Sequence, residues 1–356
     1  MARTIQEWMT GLKAGELPTV EELAYLLTVR GDDSRLLLQA ADSVRAAVMG
    51  DAVHIRGIIE FSNICRNDCL YCGIRRSNQT VTRYRIPDEE ILETAAHAKE
   101  WGCGTVVLQS GEDPYYTAER ISKLVRAIHA MDLAITLSLG VRPRAELAAF
   151  REAGADRYLL RFETCNREQF ARLHPDAPFE ERIRCLDDLR ELGFQVGSGF
   201  MIGLPGASLE DLARDLLFTR QLQLDMIGCG PFLAHPDTPL RESGQLPDKS
   251  VYYHTIALLR LLNPHAHIPA TTAFDALDKE SGRNRVLEGG ANVFMPNLTP
   301  GKYRKLYLLY PDKPCVDEEG GACMLCIRGR LRALGRKMAT GRGDAWRLTN
   351  AGGNNA

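Results

Sequence analysis

The chain of 356 residues is long enough for one large domain or two ordinary ones, and 45% hydrophobic with 25% charged residues is the composition of a soluble globular protein. A net charge of -2 offers no basic surface for nucleic acid, and no stretch approaches the roughly 20 apolar residues of a membrane span. The polar, amphipathic N-terminus lacks the apolar core of a signal peptide. We therefore expect a cytoplasmic protein that binds neither nucleic acid nor membrane.

Helical patterns fill the first 50 residues, and the second helix opens with Thr19 and Glu22 at the spacing of a capping box. Short β-rich runs then alternate with helical ones, at residues 53–63, 105–112, 134–140, 157–164, 195–203, 226–233, 267–273 and 291–297. Eight strands that each lead into a helix are typical of a parallel (β/α)8 barrel of the α/β class. We predict an N-terminal helical extension over 1–50, a TIM-type barrel over 51–300 and a C-terminal extension over 301–356.

Alternation along the first strand predicts a polar barrel interior. Successive strand side chains point to opposite faces, so one face carries His54, Arg56, Ile58, Glu60 and Ser62. Helices cover the outside of a barrel, which places this polar set inside. The fourth strand repeats the pattern with Arg157, Leu159, Arg161 and Glu163. Enclosed charges are costly unless paired or solvated, so we expect an open polar lumen, with structural ion pairs at the barrel mouth as the alternative.

Six of the ten cysteines form two groups. Disulfides are not expected, because the cytosol keeps thiols reduced. The groups are Cys65, Cys69 and Cys72, spaced C-x3-C-x2-C, and Cys315, Cys323 and Cys326, spaced C-x7-C-x2-C. For the isolated ones, Cys103, Cys165, Cys185 and Cys229, we expect small buried side chains.

The first cysteine group follows the first strand, at the end of the barrel where enzymes of this fold keep their active sites. Three thiolates can hold three irons of a [4Fe-4S] cube and leave the fourth iron open to another ligand. Zinc would more often show paired C-x2-C elements or histidines at ligand spacing, which this segment lacks. We therefore expect an iron–sulfur cluster with one open position.

This motif in a barrel resembles that of the radical S-adenosylmethionine (SAM) enzymes. The similarity to the HydE-type [FeFe]-hydrogenase maturases runs from about residue 50 to residue 335, in VHIRGIIEFSNICRNDCLYCGIRRSN, VVLQSGEDPYY, ADRYLLRFET, MIGLPG, GPFLAHPDTPL, IPATTA and NVFMPNLTP. It implies reductive cleavage of SAM to a 5′-deoxyadenosyl radical. That radical would act on a cysteine-bound iron carbonyl/cyanide precursor in assembly of the hydrogenase diiron subcluster, a step of H-cluster maturation.

Two other functions stay open. One is a radical SAM mutase or synthase of the methylornithine synthase and biotin synthase group, which shares fold and cluster motif. The other is a non-catalytic metal-binding scaffold or a zinc-dependent nucleic-acid module.

The resemblance also implies roles by position. The first triad would hold a [4Fe-4S] cluster with SAM on its unique iron. Residues expected to bind SAM are Tyr71, Gln109, Ser110, Glu112, Arg161, Glu163, Arg182 and Met201. Positions that match the substrate side are Arg56, Thr271, Thr272, Tyr307 and Tyr310. Plain strand or helix packing is the alternative for the threonines and tyrosines, and a solvated helix charge is the alternative for Arg182.

The second triad is expected to bind a metal. Some relatives carry an auxiliary [2Fe-2S] or [4Fe-4S] cluster there and others do not, which implies a dispensable site; zinc or empty thiols stay open. For His174, His235 and His265 we expect capping or surface positions. The implied partners are a small organometallic substrate, the other hydrogenase maturases (a synthon-making radical SAM enzyme and a GTPase scaffold) and an electron donor such as ferredoxin or flavodoxin.

Overall fold

The computed structural model describes residues 3–13, 15–244, 246, 248–316 and 320–349. Three helices come first, namely α1 (Ile5–Lys13), α2 (Val20–Leu27) and α3 (Gly31–Met49). The capping box of α2 is confirmed: Glu22 N donates to Thr19 Oγ1 at 3.2 Å, and Thr19 N donates to the Glu22 carboxylate at 2.9 Å.

The strands of the barrel are parallel and each of the eight predicted runs contains at least one. They are β1 (Ala52–Ser62), β2 (Thr105–Ser110), β3 (Ala134–Ser138), β4 (Arg157–Leu159), β5 (Gln195–Ser198), β6 (Met201–Ile202), β7 (Met226–Ile227), β8 (Gly230–Pro231), β9 (Pro269–Ala270), β10 (Val293–Phe294) and β11 (Lys337–Met338). The order in the main sheet is β7-β5-β4-β3-β2-β1-β10-β9, and β6 pairs with β8. A parallel bridge between Met226 and His267 joins the two ends, so the sheet closes as the predicted barrel.

Helices surround this sheet. They are α4 (Asp88–Glu100), α5 (Ala118–His129), α6 (Arg144–Glu152), α7 (Arg167–Leu173), α8 (Phe179–Glu191), α9 (Leu209–Gln221), α10 (Ser250–Leu262), α11 (Ala273–Leu277), α12 (Gly282–Glu288), α13 (Gly301–Arg304), α14 (Gly320–Ala333) and α15 (Trp346–Thr349). Within the described ranges, each helix is too short or too polar to cross a membrane.

The C-terminal extension is attached to the barrel rather than separate from it. Strand β11 pairs with Ala52 and Val53 at the start of β1. The predicted boundaries at residues 50 and 300 stay predictions.

The outer face of β1 is apolar, as the alternation predicts. Val53, Ile55, Ile59 and Phe61 are buried in the large hydrophobic core shared with the surrounding helices. Among the isolated cysteines, Cys103, Cys185 and Cys229 are buried as expected, whereas Cys165 is only half-buried. The apolar set therefore packs the helices against the sheet and leaves the polar set inside the barrel.

The expectation of an open lumen is wrong for the N-terminal end of the barrel, which the C-terminal segment closes. Arg157, the first residue of β4, donates to Asp344 Oδ1 and to the Arg342 carbonyl, both at 2.7 Å. Gln195, the first residue of β5, donates to the same Asp344 oxygen at 2.7 Å. Structural ion pairing therefore does occur inside the barrel, at its floor as well as toward its mouth, where Lys313 pairs with Glu60 and Arg161 with Glu163.

Asp344→Ala is expected to lower the free energy of unfolding by about 3 kcal/mol, because it leaves the Arg157 guanidinium buried without a carboxylate. The Arg157 side chain is 2% exposed. Glu242→Ala is the control, since its carboxylate is 88% exposed, and its effect should stay within about 0.5 kcal/mol. Urea unfolding of both variants measures the difference. Equal effects would show that the floor contributes no more than a surface pair.

Candidate active site

A cavity of about 350 Å³ lies at the C-terminal ends of the strands. Its wall contains every residue predicted for the first cluster and for SAM, and all but one of those predicted for the substrate. They are Cys65, Cys69, Cys72, Tyr71, Gln109, Ser110, Glu112, Arg161, Glu163, Arg182, Met201, Thr271, Thr272, Tyr307 and Tyr310. Closure of the barrel brings these residues together from segments spread over 250 positions of the chain.

The first cysteine triad lies in the loop between β1 and α4. Arg75 braces this loop by donating twice to Asp68, at 2.7 and 2.6 Å, and this pairing holds the pKa of the Asp68 carboxyl well below its usual range. Burial raises the pKa of the Cys72 thiol to about 12, and the neighbouring Cys65 thiolate acts in the same direction. Burial also raises the pKa of Cys69. As three thiolates, the triad needs a cationic partner to stay charged.

The chemistry of this donor set fits an iron–sulfur cluster. All three thiols line one cavity. Cysteine thiolates are the ligands that hold iron–sulfur clusters in proteins, each bound to a different iron. Three thiolates on one wall therefore fit a cluster that has one iron open to another ligand.

Glu112 is held against the cluster-binding loop. Its backbone N–H donates to Cys65 Sγ at 3.4 Å, and its carboxylate accepts from Val141 N at 3.1 Å and Arg66 Nε at 3.0 Å. Gly140 makes this placement possible: its φ is +74°, and a Cβ there would collide with the Glu112 side chain. The Glu112 carboxylate is thereby fixed beside the first cysteine.

The residues from β4 and α8 form a polar group with free donors. Arg161 donates to the Phe200 carbonyl at 2.7 Å and lies 3.0 Å from the Glu163 carboxylate, while Arg182 donates to the Arg161 carbonyl at 2.9 Å. The Nε atoms of Arg161 and Arg182 are buried without a hydrogen-bond partner in the described chain. Glu163 has a φ of +66°, a strained conformation typical of binding sites. Such orphaned donors suit a polar ligand with its own acceptors.

His174 was expected at a cap or on the surface, and it does cap the C-terminus of α7, but it is buried and bonded to Tyr71. Its Nε2 lies 2.9 Å from the Tyr71 hydroxyl and its Nδ1 lies 3.1 Å from the Phe170 carbonyl. Because Nδ1 faces a carbonyl, Nδ1 carries the proton and Nε2 accepts from Tyr71. Burial lowers the pKa of His174 to about 3, so the ring is neutral.

The substrate side of the cavity is rich in hydroxyl groups. Thr272 and Tyr310 share a short hydrogen bond between their hydroxyls, and Thr271 donates to the Cys229 carbonyl at 3.2 Å. Next to them Lys313 Nζ lies 2.5 Å from Glu60 Oε1 in a buried ion pair. The alternation of β1 placed Glu60 inside, whereas nothing in the local sequence indicated Lys313, which lies 253 residues away.

Arg56 does not line the cavity. It lies in the floor layer, 1% exposed, where it donates to Met226 Sδ at 2.8 Å and to the Gly343 carbonyl at 3.1 Å. The alternation correctly pointed it inward, but the floor closes around it. Its role toward a substrate stays a prediction.

The second cysteine triad is divided between a loop and the helix that follows it. Cys323 is buried on α14, Cys326 is exposed one turn further along, and Cys315 precedes residues 317–319, which lie outside the described ranges. The expected metal site there stays a prediction.

Comparison with known proteins agrees with this geometry. Residues 59–219 match the Radical SAM superfamily. The "[FeFe] hydrogenase maturase subunit HydE" of Thermotoga maritima is 50% identical over 301 residues, which cover 85% of this chain and 86% of that protein. The 3-methylornithine synthase of Methanosarcina acetivorans is 31% identical over 77% of each chain.

Solved structures share the fold. The crystal structure of methylornithine synthase (PylB) superposes with a TM-score of 0.82 at 27% identity, covering 96% of this chain and 99% of that one. The FeFe-hydrogenase maturase HydG from Carboxydothermus hydrogenoformans superposes with a TM-score of 0.78 at 22% identity, covering 93% and 78%, and supports the fold alone. On the identity and coverage of the Thermotoga relative, this chain belongs to the radical SAM superfamily and, within it, to the HydE-type [FeFe]-hydrogenase maturases.

Proposed function

We propose that this radical SAM enzyme acts in assembly of the diiron subcluster of an [FeFe]-hydrogenase, on a cysteine-bound iron carbonyl/cyanide precursor. The observation that carries the proposal is the convergence of Cys65, Cys69 and Cys72 with unpartnered arginine donors on one cavity. The 50% identity with the Thermotoga maturase supports the substrate class. The methylornithine synthases are less similar, at 31% identity, and support the alternative of a mutase or synthase less strongly.

A [4Fe-4S] cluster with SAM supplies, when bound, a one-electron reductive cleavage of the sulfonium that yields a 5′-deoxyadenosyl radical. The residues of the chain itself would bind the cluster and SAM and orient them in the cavity. We assign three irons to the first cysteine triad and the amino-acid and ribose parts of SAM to the polar group around Glu112, Arg161, Glu163 and Arg182. Arginine forks suit a carboxylate, and carboxylates accept from hydroxyl or ammonium groups.

Tyr71, Gln109, Ser110 and Met201 complete the SAM side of this proposal. The ring of Tyr71 lines the cavity in a fixed position, because the Tyr71 hydroxyl donates a hydrogen bond to Nε2 of the neutral His174. Met201 packs in an apolar cluster with Leu204 and Phe232. These apolar contacts exclude water from the wall next to the cysteines.

On the substrate side, we assign orientation of the substrate to Thr271, Thr272, Tyr307 and Tyr310. The Thr272–Tyr310 bond and the Lys313 contact to the Tyr307 carbonyl at 3.0 Å hold these groups in place before any substrate binds. Arg56 would add positive charge from the floor. Preorganised donors of this kind stabilise charge without reorganising.

The proposal includes partners and location. The other hydrogenase maturases would make and receive the iron species, and a ferredoxin or flavodoxin would supply electrons. A reducing compartment such as the cytoplasm suits a chain whose Cys65, Cys69 and Cys72 act as thiolates. An auxiliary [2Fe-2S] or [4Fe-4S] cluster at Cys315, Cys323 and Cys326 is part of the proposal as a dispensable site, supported by the C-x2-C spacing alone.

The maturase function is tested by complementation. An extract that contains apo-hydrogenase and the partner maturases but lacks a HydE-type protein should regain hydrogen evolution when the reconstituted protein is added anaerobically. The same protein should form no 3-methylornithine from lysine and SAM. Cleavage of SAM without restored hydrogenase activity, together with methylornithine formation, would favour the alternative function.

The two cysteine groups should differ in their effect on SAM cleavage. Cys69→Ser is expected to reduce 5′-deoxyadenosine formation by about a hundredfold or more, since even partners of metal ligands cost 10- to 100-fold. Cys323→Ser and Cys326→Ser, the second at an exposed position, should retain most of the wild-type 5′-deoxyadenosine formation. Chromatographic assay of 5′-deoxyadenosine measures all three variants. Comparable losses in the two groups would show that the C-terminal triad is required.

The burial of His174 predicts a pH-dependent stability difference between the wild type and His174→Gln. In the unfolded chain His174 titrates near 6.5, while in the fold its pKa is about 3, so only the unfolded state gains its proton between pH 6.5 and 5.5. The wild type should lose about 1 kcal/mol relative to the variant over that interval. Urea unfolding at the two pH values tests this. An unchanged difference between the proteins would show that His174 is protonated in the fold.

A further inference from the structure

Arg83 contacts the cluster-binding loop, residues 63–78, and is not among the residues that line the cavity. Its Nη1 donates to the Asn63 carbonyl at 2.7 Å and to the Ile74 carbonyl at 2.8 Å. Its Nη2 donates to the Arg75 carbonyl at 2.6 Å and to the Asn78 carbonyl at 3.1 Å. One planar guanidinium thus binds four carbonyls of the same loop.

These four carbonyls lie on both sides of the cysteine motif. Asn63 precedes Cys65 by two residues, whereas Ile74, Arg75 and Asn78 follow Cys72. The loop has no helix or regular strand of its own between β1 and α4. An isolated antiparallel bridge joins Ser62 to Arg85 at its base, and within it Arg76 N donates to the Asn67 carbonyl. The Arg83 fork adds four hydrogen bonds to these links between the chain entering and the chain leaving the motif.

The absence of a carboxylate partner distinguishes Arg83 from the other arginines between β1 and α4. Each of those is paired with a carboxylate: Arg66 with Glu112, Arg75 with Asp68, Arg76 with Asp176 and Arg85 with Asp113. Arg83 makes no ion pair with a carboxylate among the described residues. Its half-buried guanidinium is bonded to neutral carbonyls. Burial lowers the pKa of Arg83, and the Cys65 and Cys72 thiolates act in the opposite direction.

The positive charge of Arg83 would affect the redox chemistry of a cluster bound to Cys65, Cys69 and Cys72. Adding an electron to an iron–sulfur cluster increases its negative charge, and nearby positive charge makes that step more favourable. Arg182 lines the cavity, and its positive charge favours the Cys69 thiolate. Arg83 is bonded instead to the carbonyls of Asn63 and Ile74, which stand two residues from Cys65 and Cys72, so its charge is fixed close to these two cysteines along the chain.

We propose that Arg83 is a positioning residue for the cluster: its four hydrogen bonds hold the two ends of the cluster-binding loop together, and its unpaired charge raises the reduction potential of the bound cluster. The inference rests on the proposed function only in requiring an iron–sulfur cluster at Cys65, Cys69 and Cys72. It is independent of the substrate.

Two substitutions separate the charge from the hydrogen bonds. Arg83→Lys keeps the charge but loses the planar fork, and Arg83→Gln loses the charge and most of the donors. Arg76→Gln is the matched control: Arg76 lies in the same loop, but its side chain is 57% exposed, its charge is paired with Asp176, and it donates to one loop carbonyl, that of Arg66, rather than to four. Each protein is reconstituted anaerobically with iron and sulfide. The rate of iron loss to a chelator and the midpoint potential by EPR-monitored reductive titration are then measured without SAM.

Arg83→Gln should shift the equilibrium between oxidised and reduced cluster about tenfold toward the oxidised form, about 59 mV for one electron, and lose iron several-fold faster. Arg83→Lys should keep the wild-type potential while losing iron faster, and Arg76→Gln should match the wild type in both. If Arg83→Gln takes up no iron, loading of Arg83→Lys with a wild-type potential supports the proposal.

Potential and iron loss in both Arg83 variants equal to those of Arg76→Gln would overturn the inference. Its failure is distinct from failure of the proposed function: a wild-type protein that loads a cluster but matures no hydrogenase affects only the latter. A wild-type protein that loads no cluster overturns both.

Discussion

Three thiolates on one wall of a half-buried cavity repel one another, and too little water reaches them to screen that repulsion. Burial raises the pKa of Cys69 and Cys72, so the triad keeps its negative charge only with metal cations bound to it. Much of the surrounding structure follows from this constraint. Arg75 braces the loop through Asp68, and Arg83 donates to carbonyls at both ends of the loop.

The remaining charges of the cavity are arranged so that a ligand meets fixed groups. Arg161 is paired with Glu163, and Lys313 with Glu60, so these side chains hold their positions without a ligand. Arg182 instead bonds to a carbonyl and has a buried Nε without a partner in the described chain. The two ion pairs fix the positions of side chains in the cavity wall, and the unpaired Nε donor of Arg182 can bind an anionic or polar ligand.

The features that sequence reasoning predicted are those set by short-range spacing. The period of two along β1 placed Glu60 inside, because side-chain direction in a strand alternates from one residue to the next. The same period continued through Arg161 and Glu163, which do line the cavity, although β4 ends at Leu159 and Glu163 has a φ of +66°. Alternation also predicted that Arg56 and Arg157 lie inside the barrel, but it did not indicate how far along the barrel axis they lie. Both proved to lie in the floor layer, since Gly343 and Asp344 close the barrel there from the far end of the chain.

The cluster motif and the inward polar faces could be predicted from the sequence, because each depends on the spacing of residues within one loop or one strand. The barrel could be predicted from the repeated alternation of such strands with helices. The completion of the site could not be predicted. His174 meets Tyr71 across 103 residues, and Lys313 meets Glu60 across 253. Such contacts exist only after the barrel closes, when burial obliges each charge and hydroxyl to find a partner wherever the fold supplies one. Which buried polar side chains pair with each other is therefore decided by the folded cavity, and the local sequence around each residue does not indicate its partner.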